Sequence, residues 1–64
     1  MIYVTTETED YILYPCKDKK TDKLRLVNLT KLEISAREYG TMDEIINMMD
    51  KLKQAGRVER FMIV

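Results

Sequence analysis

One cysteine and no histidine in a chain of 64 residues leave little with which to cross-link a small fold. A domain of this length buries only about 60% of the surface that its unfolded chain exposes, and disulfides or a metal usually supply the missing stability. The single thiol of Cys16 cannot form an intrachain disulfide, and one ligand is too few for a structural zinc site. We therefore expect a single domain over residues 1–64, without metal or cofactor, that is completed by a second copy or by another protein.

Eleven Lys and Arg residues balance eleven Asp and Glu residues, so the chain lacks the positive excess typical of non-specific nucleic-acid binders. No apolar run approaches the ~20 residues of a membrane span. The first residues have neither the basic nor the apolar segment of a secretory signal, and a secreted domain this small would normally contain several disulfides. These features predict a cytoplasmic protein with no membrane partner.

Four segments rich in β-branched and aromatic residues, separated by polar breaks, are predicted to be strands. They cover residues 1–6, 11–14, 24–29 and 58–64. Residues 41–55 are predicted to be a helix, since Thr41 and Glu44 have capping-box spacing and Gly56 suits the position after a helix end. The expected fold is α+β: a small, mostly antiparallel sheet of three to five strands in the order β-β-β-(β)-α-β, with one amphipathic helix packed on one face.

Residues 30–40 fit two structures. As a strand, they alternate apolar Leu32 and Ile34 with polar neighbours; as a helix, Thr30 and Glu33 form a second capping box. The strand is slightly favoured because it continues the strand before it.

The chain offers little for catalysis. Without histidine there is no imidazole base and no Ser-His or Cys-His pair. The two glycines, Gly40 and Gly56, are too far apart in sequence to form a phosphate-binding loop. We expect a protein that is not an enzyme.

The predicted helix has an apolar arc about 180° wide, whereas packing on a single sheet needs only about 100° or slightly more. Methionines supply much of this arc, and flexible thioethers suit adaptable binding surfaces as well as cores. Filling of the core remains an alternative use for these side chains. We expect a non-enzymatic protein-interaction module, a homodimer that acts as an accessory or inhibitory protein on a larger partner. The predicted interface residues are Met42, Ile46, Met48 and Met49, with Phe61 and Ile63 if the second face of the sheet is free.

A nucleic-acid-binding protein is the alternative function. Five cations cluster in a predicted hairpin that lies near two tyrosines able to stack on bases; they are Lys17, Lys19, Lys20, Lys23 and Arg25. Aspartates within the same hairpin reduce its positive field.

The pattern Ala36-x3-Gly40-x5-Ile46-x2-Met49 resembles the spacing of a helix-turn-helix motif, and residues 49–60 look like a winged-helix recognition helix running into its wing. The resemblance implies DNA binding through the helix that follows Gly40. The chain departs from the motif because this helix opens with Asp43 and Glu44, which repel phosphates.

Overall fold

The structure, a computed structural model, describes residues 1–15 and 22–64. These residues form five strands and one helix in the order β-β-β-β-α-β, which confirms the predicted α+β class at the upper end of the expected strand number. The elements are β1 (Ile2–Thr5), β2 (Asp10–Pro15), β3 (Leu24–Asn28), β4 (Glu33–Gly40), α1 (Met42–Gln54) and β5 (Arg60–Ile63).

All neighbouring strands are antiparallel, and their order across the sheet is β4-β3-β2-β1-β5. The register places Ile2 opposite Leu13 and Leu13 opposite Leu26, so these residues point to one face of the sheet. Their neighbours along the strands point to the other face, because successive side chains of a strand alternate. The first face is the one that α1 covers.

The core lies between α1 and this first face. Ile2, Leu13 and Leu24 from the sheet pack with Ile45 and Met49 from the helix. Val4 and Val58 complete the buried set. Every buried residue is apolar, so among the described residues the core contains no polar side chain that requires a partner.

Both predicted ends of the helix are confirmed. The Thr41 hydroxyl accepts a hydrogen bond from the Glu44 amide, and the Glu44 carboxylate accepts one from the Thr41 amide. Gly56 follows the C-cap with φ +76°, a left-handed conformation that favours glycine.

A turn at residues 29–32 resolves the ambiguous segment. The Asn28 side-chain oxygen accepts hydrogen bonds from the Thr30 and Lys31 amides, each at 3.0 Å, and Leu32 has a left-handed φ of 57°. Residues 33–40 then form a strand, as favoured, and Thr30 does not cap a helix because its hydroxyl accepts from the Asp10 amide. The helix-turn-helix pattern is therefore wrong, since the segment before its turn glycine is a strand.

The two edges of the sheet differ. The pairing of β3 with β4 contains register shifts, so β4 is an irregular edge. β2 and β3 pair without interruption. β5 is the other edge, in regular register with β1.

Candidate interaction surface

The second face of the sheet has an apolar row across all five strands. The register aligns one residue from each strand, and in the order of the strands from β5 to β4 they are Met62, Tyr3, Ile12, Val27 and Ile34. We call these five residues the second-face row. With strands about 4.8 Å apart, the row is about 19 Å long.

The outer members of the row are the most exposed. Met62 is 50% exposed and Ile34 is 71% exposed, whereas Tyr3, Ile12 and Val27 are half-buried between neighbouring strands. No element in the described part of the chain lies over this face. An apolar row rimmed by polar residues is typical of an interaction site.

Charged residues lie beyond the row at both ends of the strands. At one end Arg25 is opposite Glu38 in the register. At the other end Asp10 and Arg60 are both aligned with Thr5. Among the described residues at these two ends the two cations balance the two anions, so their charges do not oppose contact with a second copy.

The structure separates the predicted interface residues into different environments. Met49 is buried in the core, and Met42 and Ile46 pack against the core from partly exposed positions. Met48 is 40% exposed on the helix. Much of the wide apolar arc of the helix therefore fills the core.

The β5 residues are distributed differently from the prediction. Phe61 and Ile63 are opposite Val4 and Ile2, so they point to the helix-covered face, and Phe61 packs against the core. Ile63 remains exposed at the edge. Met62 is the apolar β5 residue that points to the free second face, on which Arg60 also lies.

The residues of the second-face row were not predicted from the sequence, although one signal for them was present. β2 is apolar on both faces, and one helix cannot cover both faces of a sheet. The row became visible only when the register aligned Tyr3, Ile12 and Val27.

The basic hairpin is only partly within the described residues. Lys17, Lys19 and Lys20 lie outside them. Lys23 is exposed, and Arg25 is half-buried on the second face opposite Glu38. Among the described residues, these cations do not form an extended positive surface.

Comparisons with protein-family models, with curated proteins and with solved structures found no match to this chain.

A polar cluster lies beside the sheet around Glu9. Its carboxylate accepts hydrogen bonds from the Tyr11 hydroxyl and from the Asn28 amide at 3.0 Å, and it forms an ion pair with Lys31 at 3.1 Å. The Tyr11 hydrogen bond is the main reason that the pKa of Glu9 lies below its ordinary value. The same bond raises the pKa of Tyr11, because ionisation would remove the donated proton. The cluster joins the turn before β2 to the turn after β3.

This cluster should make folding stability depend on pH. Since the folded pKa of Glu9 is lowered, its contribution is full above the ordinary value of 4.5 and is lost as the pH falls below it. The pKa of Tyr11 is raised, so the effect of pH is reversed: the stability that Tyr11 contributes is full below 10.0 and is lost as the pH rises above it. Replacing Glu9 by Gln should reduce the difference between urea midpoints at about pH 7 and about pH 3.

The matched control is Glu7→Gln, an exposed carboxylate in the same turn. It should leave the acid dependence near that of the unmodified protein. Equal effects of the two substitutions would mean that the hydrogen bonds to Glu9 do not stabilise the fold.

Within residues 1–15 and 22–64, three or more potential metal-ligating side chains do not cluster. In the same residues, no helix is long and apolar enough to cross a membrane.

Proposed function

We propose that this protein is a non-enzymatic interaction module that forms a homodimer through the second face of its sheet. The observation that carries the proposal is the second-face row, an apolar surface spanning all five strands and left uncovered by α1. The proposed dimer is a four-layer assembly, helix–sheet–sheet–helix, in which two second faces pack about 10 Å apart.

The position of the row favours a second copy as the occupant. A two-fold interface places the same patch of both subunits in contact. Ile12 lies on β2, the middle strand of the five. A two-fold axis that passes through Ile12 parallel to the strands would place Ile12 of one copy over Ile12 of the other. The same axis would place Tyr3 over Val27 and Met62 over Ile34. Each apolar side chain would thus meet another apolar side chain.

The charges at the two ends are also compatible with self-association. A two-fold axis along the row would instead place the end carrying Arg25 over the end carrying Asp10. In either orientation the apolar row of one copy lies over the apolar row of the other copy. Neither orientation brings together two faces whose described residues carry net charges of the same sign.

The size of the face is near that of a small stable interface. In a two-layer fold the shortest dimension runs through the layers, so the dimensions of 33 and 25 Å bound the sheet face. An ellipse of those dimensions has an area of about 650 Å², which is an upper limit for the flat area of the face, compared with about 800 Å² per partner in a standard interface.

The accessory role on a larger protein would use what this dimer leaves exposed. Met48 is 40% exposed in the helix layer, and this layer is separated from the second face by the sheet, so the helix layer and the second face could bind different partners at once. The proposal retains the cytoplasmic setting expected from the single cysteine.

Light scattering over roughly micromolar to several hundred micromolar protein tests the proposal. We expect the mass to approach twice that of one chain as the concentration rises. A well-folded monomer over the whole range would overturn the homodimer.

A further inference from the structure

A cavity of about 220 Å³, open to solvent on one side, lies on the opposite side of the sheet, beneath α1. Val4, Leu13 and Leu26 form its floor, and Met49 and Leu52 form its roof. Leu13 is nearly fully buried, whereas its register neighbour Leu26 is only half-buried. The helix thus leaves unfilled space over this part of the sheet.

The polar groups beside the cavity are already engaged. The Tyr11 hydroxyl donates to the Glu9 carboxylate, and the Thr6 hydroxyl donates to the Glu9 carbonyl oxygen at 2.8 Å. Arg57 contributes to the wall, but it is an exposed residue, so its charged end can reach water while its stem lines the cavity. The cavity therefore favours an uncharged ligand without a strong hydrogen-bonding group.

The volume restricts the size of that ligand. Apolar cavities of about 150 Å³ remain dry and accept benzene. A cavity of 220 Å³ has room for a somewhat larger molecule, such as one with two fused aromatic rings. Tyr11 and Leu26 also line a second cavity of about 190 Å³, which gives a neighbouring space open to a substituent.

We propose that the cavity beneath α1 binds a small, uncharged aromatic molecule of about ten non-hydrogen atoms. This site is independent of the proposed dimer, since the sheet separates the two surfaces. Loss of one would leave the other in place.

Methyl NMR of the full chain, titrated with indole and with naphthalene, tests the site. We expect saturable shifts at the methyl groups of Leu13, Leu26 and Met49, with a dissociation constant of roughly 0.1–1 mM. The methyl groups of Ile12, Val27 and Met62 on the second face should not shift.

Filling the cavity should abolish binding. Leu26→Trp fills it from the floor and should weaken binding at least tenfold, with the fold checked by circular dichroism. Leu52→Phe fills the cavity from the roof and is the variant to test if Leu26→Trp does not fold. Met48→Trp adds the same large ring outside the cavity and should bind the probes normally.

Three results would overturn the site: no saturable shift with either probe, shifts that persist in both filling variants, or shifts confined to the second face. The mass measurement on the same samples reports separately on the homodimer.

Discussion

The Met62→Glu variant is expected to be a folded monomer at concentrations at which the unmodified protein is a dimer. Met62 is half exposed at one end of the second-face row. In a two-fold interface the substitution would bury two carboxylates, one from each copy, without partners. Each unpaired buried charge costs several kcal/mol, so the dimer should weaken by at least a hundredfold, measured by sedimentation or light scattering.

Met48→Glu is the matched control. It makes the same chemical change at a methionine with similar exposure, 40% against 50%, but in the helix layer rather than the sheet. We expect this variant to dimerise normally. Dissociation by Met48→Glu together with a normal dimer for Met62→Glu would assign the contact to the helix and overturn the proposed surface.

Ile12 and Leu13 are sequence neighbours whose replacement by Ala should have very different effects. Leu13 is only 2% exposed and lies beneath the helix. Truncating a buried leucine to alanine costs about 2–5 kcal/mol. The core of a domain this small supplies only about 3–5 kcal/mol of stability, so Leu13→Ala should be largely unfolded even without denaturant.

Ile12→Ala should instead retain the fold, because Ile12 lies on the second face and is half-buried only by its strand neighbours. Its cost should appear in the dimer. Urea unfolding at a low and a high protein concentration separates the two effects. The urea midpoint of Ile12→Ala should lie below that of the unmodified protein mainly at the high protein concentration, at which the unmodified protein is a dimer. If Ile12→Ala destabilised the monomer as much as Leu13→Ala does, the second face would be packed against other parts of the chain rather than open.

The sequence was sufficient for those elements whose signals are local. The helix from 42 to 54 follows from a capping box at Thr41 and Glu44 and a glycine at 56, all within a few residues of its ends. The segment after β3 was harder, because the alternation of a strand and the capping box of a helix competed there. The Asn28 side chain decided between them by accepting hydrogen bonds from Thr30 and Lys31, a turn interaction that the apolar pattern does not reveal.

The candidate surface required long-range information. Alternation along β5 shows that Phe61 and Met62 point to opposite faces, but it does not show which face the helix covers. That depends on the pairing of β5 with β1, in which Phe61 is opposite Val4. A shift of one residue in this register would exchange the faces, so the prediction of Phe61 and Ile63 on a free face had no local signal to correct it.

The order of the strands also makes one pairing more costly to form than the others. The first four strands each pair with a neighbour in sequence, whereas β5 pairs with β1 across nearly the whole chain. Beside the β1–β5 pairing, the Met1 amino group donates a hydrogen bond to the Val64 carbonyl oxygen, 63 positions away. Closing so long a loop costs more chain entropy than closing a hairpin, so the pairing of β5 with β1 has the largest closure cost in the sheet. Met62 lies on β5, and one end of the second-face row therefore depends on the pairing that is the most costly to close.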